Sequence, residues 1–96
     1  MQRVTPDMQI HNEPMRQFVD IELRQLAFLA LARVHYEHDQ FDKSIYYYGL
    51  IPQGSEHWLT ALFESSWSYF RRGDFDKALG RLLTLHSPFF AQEYFP

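Results

Sequence analysis

The chain has 96 residues, a length that suits one small domain, and carries a formal net charge of −3. That charge argues against a nucleic-acid partner, because such partners favour a concentrated basic patch. The chain has no cysteine, which excludes disulfides and cysteine-ligated zinc within these residues. Its richest apolar stretch, from Leu26 to Val34, contains Arg33 and is shorter than the roughly 18 residues that a membrane span needs.

The chain begins with residues 1–13, which we predict to be a disordered or linker segment without the apolar core of a signal peptide. Asn12 is suited to capping a helix, and Pro14 is tolerated in a first helical turn. Residues 14–24 carry an apolar stripe and are predicted to form an N-terminal helical extension or cap. This segment either continues into the next helix or forms a separate capping helix.

Two helix–turn–helix units follow. The first covers residues 25–54, where apolar residues recur at helical spacing on both sides of a break at Asp39-Gln40. The second covers residues 55–88 and turns at Gly73-Asp74, where glycine suits a left-handed helix end. Residues 89–96 are rich in aromatic side chains and are predicted to start a further element that is cut short.

The two units are related by one constant shift along the chain, from position 41 to position 75. This shift aligns Phe41-Asp42-Lys43 with Phe75-Asp76-Lys77. Chemistry is kept across the same shift at further positions, from Tyr36 to Phe70 and from Ile51 to Leu85. Because one helical hairpin cannot bury its apolar face alone, such units stack on one another. The sequence therefore predicts an all-α fold, an α-α superhelix of about four to five helices.

Three consecutive tyrosines, Tyr46, Tyr47 and Tyr48, lie in the second predicted helix of the first unit. Three neighbours on a helix span about 200 degrees, so they cannot all face the core. Tyr48 matches a packing position, and we expect Tyr46 or Tyr47 to be partly exposed. Packing between the units and contact with a ligand are the two interpretations of the exposed ring.

The run from Gly73 to Leu79 resembles the turn and the second-helix start of a tetratricopeptide repeat, and the shift between the two units equals the length of that repeat. Small residues occupy the positions where helices cross, namely Ala32, Ser44, Ser66 and Ala78. Asp39 stands where the family usually has glycine, and the closing prolines fall early, so the two repeats are divergent. The resemblance implies a scaffold for protein–protein interaction that is not an enzyme and needs no cofactor.

The same resemblance implies a concave groove lined by the first helix of each repeat. Its pattern assigns eight partner-binding positions, namely Leu29, Arg33, Tyr36, Glu37, Phe63, Trp67, Phe70 and Arg71. Because most of these are aromatic or apolar, the groove suits an apolar or aromatic peptide or helix better than the acidic tail bound by the family's carboxylate clamp. Adjacent repeats of the same chain are the alternative occupant, and a second copy is a further candidate for covering the exposed end faces.

A metal-binding or enzymatic helical bundle is the rival interpretation. His35 and His38 are three residues apart on a predicted helix, a spacing that brings two imidazoles to one face. No third ligand stands at a recognisable spacing from them, so we predict no metal site. The paired acids, such as Asp39 and Asp42, fall in turns where Asp commonly caps helices, so we predict no catalytic residue either.

The segments at Ile51-Pro52, Leu82 to Pro88 and Tyr94-Phe95-Pro96 are also similar to repeat proteins of bacterial envelope or motility machinery. That similarity implies a place in a multi-protein bacterial assembly. It favours the periplasm or cell envelope, with the cytoplasm as the alternative.

Overall fold

A computed structural model describes residues 13–85, which form four helices: α1 (Glu13–Glu37), α2 (Phe41–Gly49), α3 (Trp58–Arg72) and α4 (Phe75–Leu85). This part of the chain contains no strand, which confirms the predicted all-α fold. Each helix packs against the next one along the chain, α1 on α2, α2 on α3 and α3 on α4. The predictions for the N-terminal linker, apart from Glu13, and for residues 86–96 lie outside the described residues.

The first helix, α1, runs without interruption over 25 residues. Residues 14–24 therefore continue directly into the first hairpin, and no separate capping helix precedes it within the described part of the chain. Glu13, expected in the linker, begins this helix and pairs with Arg16 in the first turn. Apolar side chains in this half of α1 stay largely exposed, as the 60 % exposure of Phe18 illustrates. Across residues 13–85, no helix combines the length and the apolar character that a membrane crossing requires.

The two hairpins turn in the same way at equivalent positions of the repeat. Asp39 and Gly73 both adopt the left-handed conformation, with φ of 61° and 98°. Each turn closes through two backbone N–H groups that donate to carbonyls three and five residues earlier, a pattern that satisfies the last carbonyls of a helix. The donors and acceptors are Asp39 to Tyr36 (3.0 Å) and Gln40 to His35 (2.8 Å), then Gly73 to Phe70 (3.0 Å) and Asp74 to Tyr69 (2.8 Å).

Aromatic pairs bracket both turns in the same register. The rings of Tyr36 and Phe41 lie 5.6 Å apart, and those of the equivalent Phe70 and Phe75 lie 5.3 Å apart. Each pair joins the end of one helix to the start of the next. Contacts between aromatic rings of this kind add to the stabilisation given by area burial. Both the backbone and the packing at the turns therefore repeat.

The core lies where α1, α2 and the start of α3 meet. Its buried cluster consists of Leu29, Ala32, Tyr48, Ile51 and Ala61. Small residues let the helices approach closely, because they leave room for the neighbouring backbone. The positions predicted for this role are all buried, at 0 % exposure for Ala32 and Ser44, 2 % for Ser66 and 5 % for Ala78.

The link between the hairpins, residues 50–57, is held against α1 by side-chain contacts. Ser55 lies two residues before His57, the residue at the N-cap position of α3. The Ser55 hydroxyl accepts a hydrogen bond from the His57 backbone N–H at 2.9 Å and donates to the side chain of Gln25. The link therefore starts α3 and also holds its first turn against α1.

Two glycines on α4 and its turn give a matched pair of expected results. An added Cβ meets no atom within 4 Å at either Gly73 or Gly80, so conformation alone decides the outcome. Gly73→Ala is expected to lower the free energy of unfolding by about 1 kcal/mol, because φ is positive there. Gly80→Ala is expected to raise it by about 1 kcal/mol, because Gly80 lies inside a helix. Urea denaturation measures both, and the same sign for both variants would contradict the turn geometry.

Candidate functional site

A cavity of about 330 Å³ opens on the face that α1 and α3 share, with α2 behind it. We call this the groove; its lining residues are Arg33, Tyr36, Glu37, Tyr48, Glu64 and Trp67. Four of the eight predicted positions therefore lie together, and they come from two helices that the whole of α2 separates in the chain. Tyr48 and Glu64 complete the lining and were not predicted to do so.

The floor of the groove is a network of three polar side chains. Arg33 donates two hydrogen bonds to Glu64, from Nε at 2.9 Å and from the terminal nitrogen at 2.8 Å. The Tyr48 hydroxyl donates to Glu64 Oε1 at 2.8 Å. The hydrogen bonds to Glu64 raise the pKa of Arg33, whereas burial, followed by the bond to Glu64, raises the pKa of Tyr48. The network ties α1, α2 and α3 together and neutralises the groove's central cation.

Arg71 lies beside the groove, over the ring of the lining residue Tyr36. Its guanidinium carbon lies 5.6 Å from the centre of the Tyr36 ring and 4.9 Å from that of Phe41. Arg71 also pairs with Asp39 at 3.1 Å. This predicted groove residue therefore joins the end of α3 to the turn of the first hairpin and presents no unpaired charge to a partner.

Arg72 makes a second bridge of the same kind on the neighbouring face. It pairs with Asp42 on α2 at 2.6 Å and with Asp74 in the following turn. The hydrogen bond to Asp42 raises the pKa of Arg72 most, and the hydrogen bond to Asp74 raises it further. Asp42 and Asp74 thus both bind Arg72 of α3, and the structural role predicted for Asp42 has a specific partner.

The edge of the groove is aromatic and exposed. Trp67 is 46 % exposed and Phe70 is 49 % exposed, and their rings meet edge to face at 6.1 Å. Phe70 also packs on Phe75 across the turn. Large apolar side chains held in place by such contacts and still open to solvent are typical anchors for a binding partner.

Two of the predicted groove residues lie elsewhere. Leu29 is only 4 % exposed and belongs to the core cluster, because Tyr48, Ile51 and Ala61 close over this part of α1. A partner in the groove cannot reach it, so its assignment is corrected. Phe63 is half-buried and does not line the cavity.

The two histidines of the rival interpretation have separate contacts. His35 Nδ1 lies 2.6 Å from the Gln40 side-chain oxygen, and its ring stacks on Tyr47 at 5.4 Å. His38 Nδ1 donates to the Val34 backbone carbonyl at 2.8 Å. These contacts account for both rings in terms of helix-end structure. Tyr48 is buried and Tyr46 is 61 % exposed, as expected for the tyrosine run.

Another histidine, His57, lies beside two acids where the link meets α1. The ligand-type atoms of Glu22, Glu56 and His57 lie within 4.8 Å of one another, and such donors suit zinc. His57 Nε2 is 2.6 Å from Glu22 Oε2, however, which is a hydrogen-bond distance. The contact therefore works with the Ser55–Gln25 bond to hold the link on α1.

A larger cavity of about 560 Å³ lies between α2, the link, α3 and α4. Its lining is mostly apolar, and its charged member, Arg81, lies 4.2 Å above the ring of Tyr69 and donates to the Tyr69 hydroxyl at 3.2 Å. The groove differs from this cavity because an ion pair, that of Arg33 with Glu64, forms its floor.

Comparison with known proteins gives no match. No protein-family model matches the chain, and neither the curated proteins nor the solved structures contain a significantly similar one. The geometry of the groove and the repetition of the hairpins are therefore the grounds on which function is assigned.

Proposed function

We propose that residues 13–85 form a protein–protein interaction module of the tetratricopeptide-repeat type, which binds a partner peptide or helix in the groove. The register between the two hairpins supports the repeat assignment, because it recurs in the turns, in the aromatic pairs and in the buried small residues. Such repeats commonly present a concave surface to other proteins.

The observation that carries the proposal is the contrast between paired charges and exposed aromatic rings in one groove. Arg33 and Arg71 are already bound by Glu64 and Asp39. Trp67, in contrast, is 46 % exposed. A partner therefore gains more by covering aromatic surface than by supplying a charge, because exposed paired ions contribute little to binding.

The charge balance of the groove also selects against an acidic partner. Among the lining residues one arginine, Arg33, accompanies two carboxylates, those of Glu37 and Glu64, which leaves the groove with one excess negative charge. An incoming carboxylate would have to displace Glu64 from a two-bond contact with Arg33. The partner is accordingly a segment with an apolar or aromatic anchor and without an acidic end.

Selection from a random peptide library displayed on phage tests this function with the whole chain as the target. We expect the enriched peptides to share an aromatic or large apolar residue. Their affinity, measured by fluorescence anisotropy, is expected to fall about tenfold or more in Trp67→Ala, because a truncated anchor typically costs at least about 1.4 kcal/mol of binding.

Tyr46→Ala is the matched control, since Tyr46 is 61 % exposed but does not line the groove. Its affinity for the same peptides is expected to equal that of the unchanged chain. Peptides whose binding ignores Trp67→Ala, or enrichment of acidic carboxyl-terminal sequences, would contradict the proposal. An absence of any enriched peptide would contradict it as well, because a groove filled by the chain itself takes no partner.

A further inference from the structure

The outer face of α1 is exposed where its repeat equivalent on α3 is buried. On α1, Leu31 is 40 % exposed and Val34 is 49 % exposed, whereas the equivalent Ser65 and Ser68 of α3 are 5 % and 0 % exposed. The difference arises because α2 covers α3, and no described helix covers this face of α1. On α4, Leu79 is 55 % exposed, whereas its equivalent on α2, Ile45, is half-buried.

Three hydrogen-bonded side-chain pairs join α2 to α3 at the junction between the hairpins. They are Ser44 with Ser68 (2.8 Å between hydroxyl oxygens), Tyr48 with Glu64 (2.8 Å) and Asp42 with Arg72 (2.6 Å). All three pairs are polar, so each depends on having its partner present. On α3 the partners are four residues apart, which places them on one stripe of the helix.

A junction of the same kind can be formed between two copies of the chain. Each α2 residue is then replaced by its repeat equivalent on α4, and each α3 residue by its repeat equivalent on α1. Each hydrogen-bonded pair of the α2–α3 junction is then replaced by a pair whose two members are compatible in polarity or charge. The resulting pairs are Ala78 with Val34, Leu82 with Ala30, and Asp76 with His38. Both members of the first two pairs change from polar to apolar together, and the third keeps an acid opposite a basic side chain.

We propose that α4 of one copy packs on α1 of a second copy in the register of the α2–α3 junction. Ala30 on α1 then faces the half-buried Leu82 on α4, Val34 lies over Ala78, a small residue that its own chain already buries, and the exposed Leu79 is covered. The fit of both faces selects a second copy, because an unrelated partner has no reason to match the register at three positions. The contact is head-to-tail, so it leaves a free face at each end and extends into open chains of molecules.

The junction between copies is weaker than the one inside the chain. The internal junction also holds the ion pair of Arg71 with Asp39, whose shifted equivalents are Glu37 and Gly73. That pair is lost between copies. Association is therefore expected to be reversible and to depend on protein concentration.

Sedimentation velocity of the whole chain tests this contact over concentrations from about 1 µM to 1 mM, the range of weak reversible affinities. The weight-average mass is expected to rise with concentration. Val34→Glu blocks the α1 face and Leu79→Glu blocks the α4 face, and each variant alone is expected to stay monomeric. An equimolar mixture of the two variants is expected to form a one-to-one dimer, because each retains the face that the other lacks.

A monomeric unchanged chain throughout this range, self-association of either variant alone, or a monomeric mixture would each overturn the proposal. Tyr46→Glu is the control for an added charge on exposed aromatic surface and is expected to associate normally. Circular dichroism checks folding, and the milder pair Val34→Ser and Leu79→Ser repeats the test if either glutamate variant loses helix. No substituted residue lines the groove, so loss of self-association is distinguishable from loss of peptide binding.

Discussion

Replacement of Leu85 by alanine is expected to lower the free energy of unfolding by about 2–5 kcal/mol, the usual cost of deleting a fully buried leucine side chain. Leu85 is 0 % exposed, and it is the equivalent of Ile51, which is 3 % exposed in the first hairpin. Both residues lie just after or at the end of the second helix of their hairpin. The two side chains therefore hold the end of each repeat in place.

The control for this result is two residues away on the same helix. Leu83 is 61 % exposed, so Leu83→Ala is expected to change the free energy of unfolding by less than about 0.5 kcal/mol. Urea denaturation of both variants compares a buried and an exposed leucine of α4 directly. Equal losses from the two substitutions would show that α4 does not pack on α3 in this orientation.

Removal of the Glu64 carboxylate is expected to have the second largest effect, with a loss of about 1–3 kcal/mol for Glu64→Ala. Glu64 accepts two hydrogen bonds from Arg33 and one from Tyr48. The Arg33 side chain is 51 % exposed and can turn to water, so its part of the loss is small. Tyr48 is 5 % exposed, and its hydroxyl loses a partner that water replaces poorly.

A double-mutant cycle separates these two contributions. Glu64→Ala combined with Tyr48→Phe is expected to show a coupling energy of about 0.5–1.5 kcal/mol, and the cycle with Arg33→Met a smaller one. Glu37→Ala is the control, because Glu37 lines the same groove but is exposed. A larger loss for Glu37→Ala than for Glu64→Ala would contradict the network.

The helices and their turns could be predicted from the sequence because their signals are local. Gly73 and the break at Asp39-Gln40 mark helix ends, and the small residues repeat at a fixed spacing. The length of α1 could not be decided, since an apolar stripe alone does not distinguish one long helix from two. In the structure this segment is one long helix.

The groove could be predicted in part. Arg33, Tyr36 and Trp67 were placed by the repeat register, which holds wherever one helix of a hairpin packs like its equivalent. Leu29 was placed wrongly because the closing of α2 over α1 is a tertiary effect. Glu64 lies three residues before Trp67 on the same helical face, and that spacing was a signal that could have revealed it.

Contacts of single polar residues were the hardest to predict. The His57 side chain is only 18 % exposed, because the link between the hairpins folds back onto Glu22 of α1. A long helix with an exposed end gives no sequence signal for which loop will dock on it. Pairings of this type depend on the path of the whole chain.

The two tryptophans provide the most direct test of the proposed groove. Trp67 lines the groove and is 46 % exposed, whereas Trp58 packs half-buried against the core. In proton–nitrogen correlation spectra, the two indole N–H groups give separate signals, which Trp58→Phe assigns. Titration with a library-selected peptide is predicted to shift the Trp67 indole signal and leave that of Trp58 in place. A titration that shifts Trp58 alone, or neither indole at saturating peptide, would contradict binding in the groove.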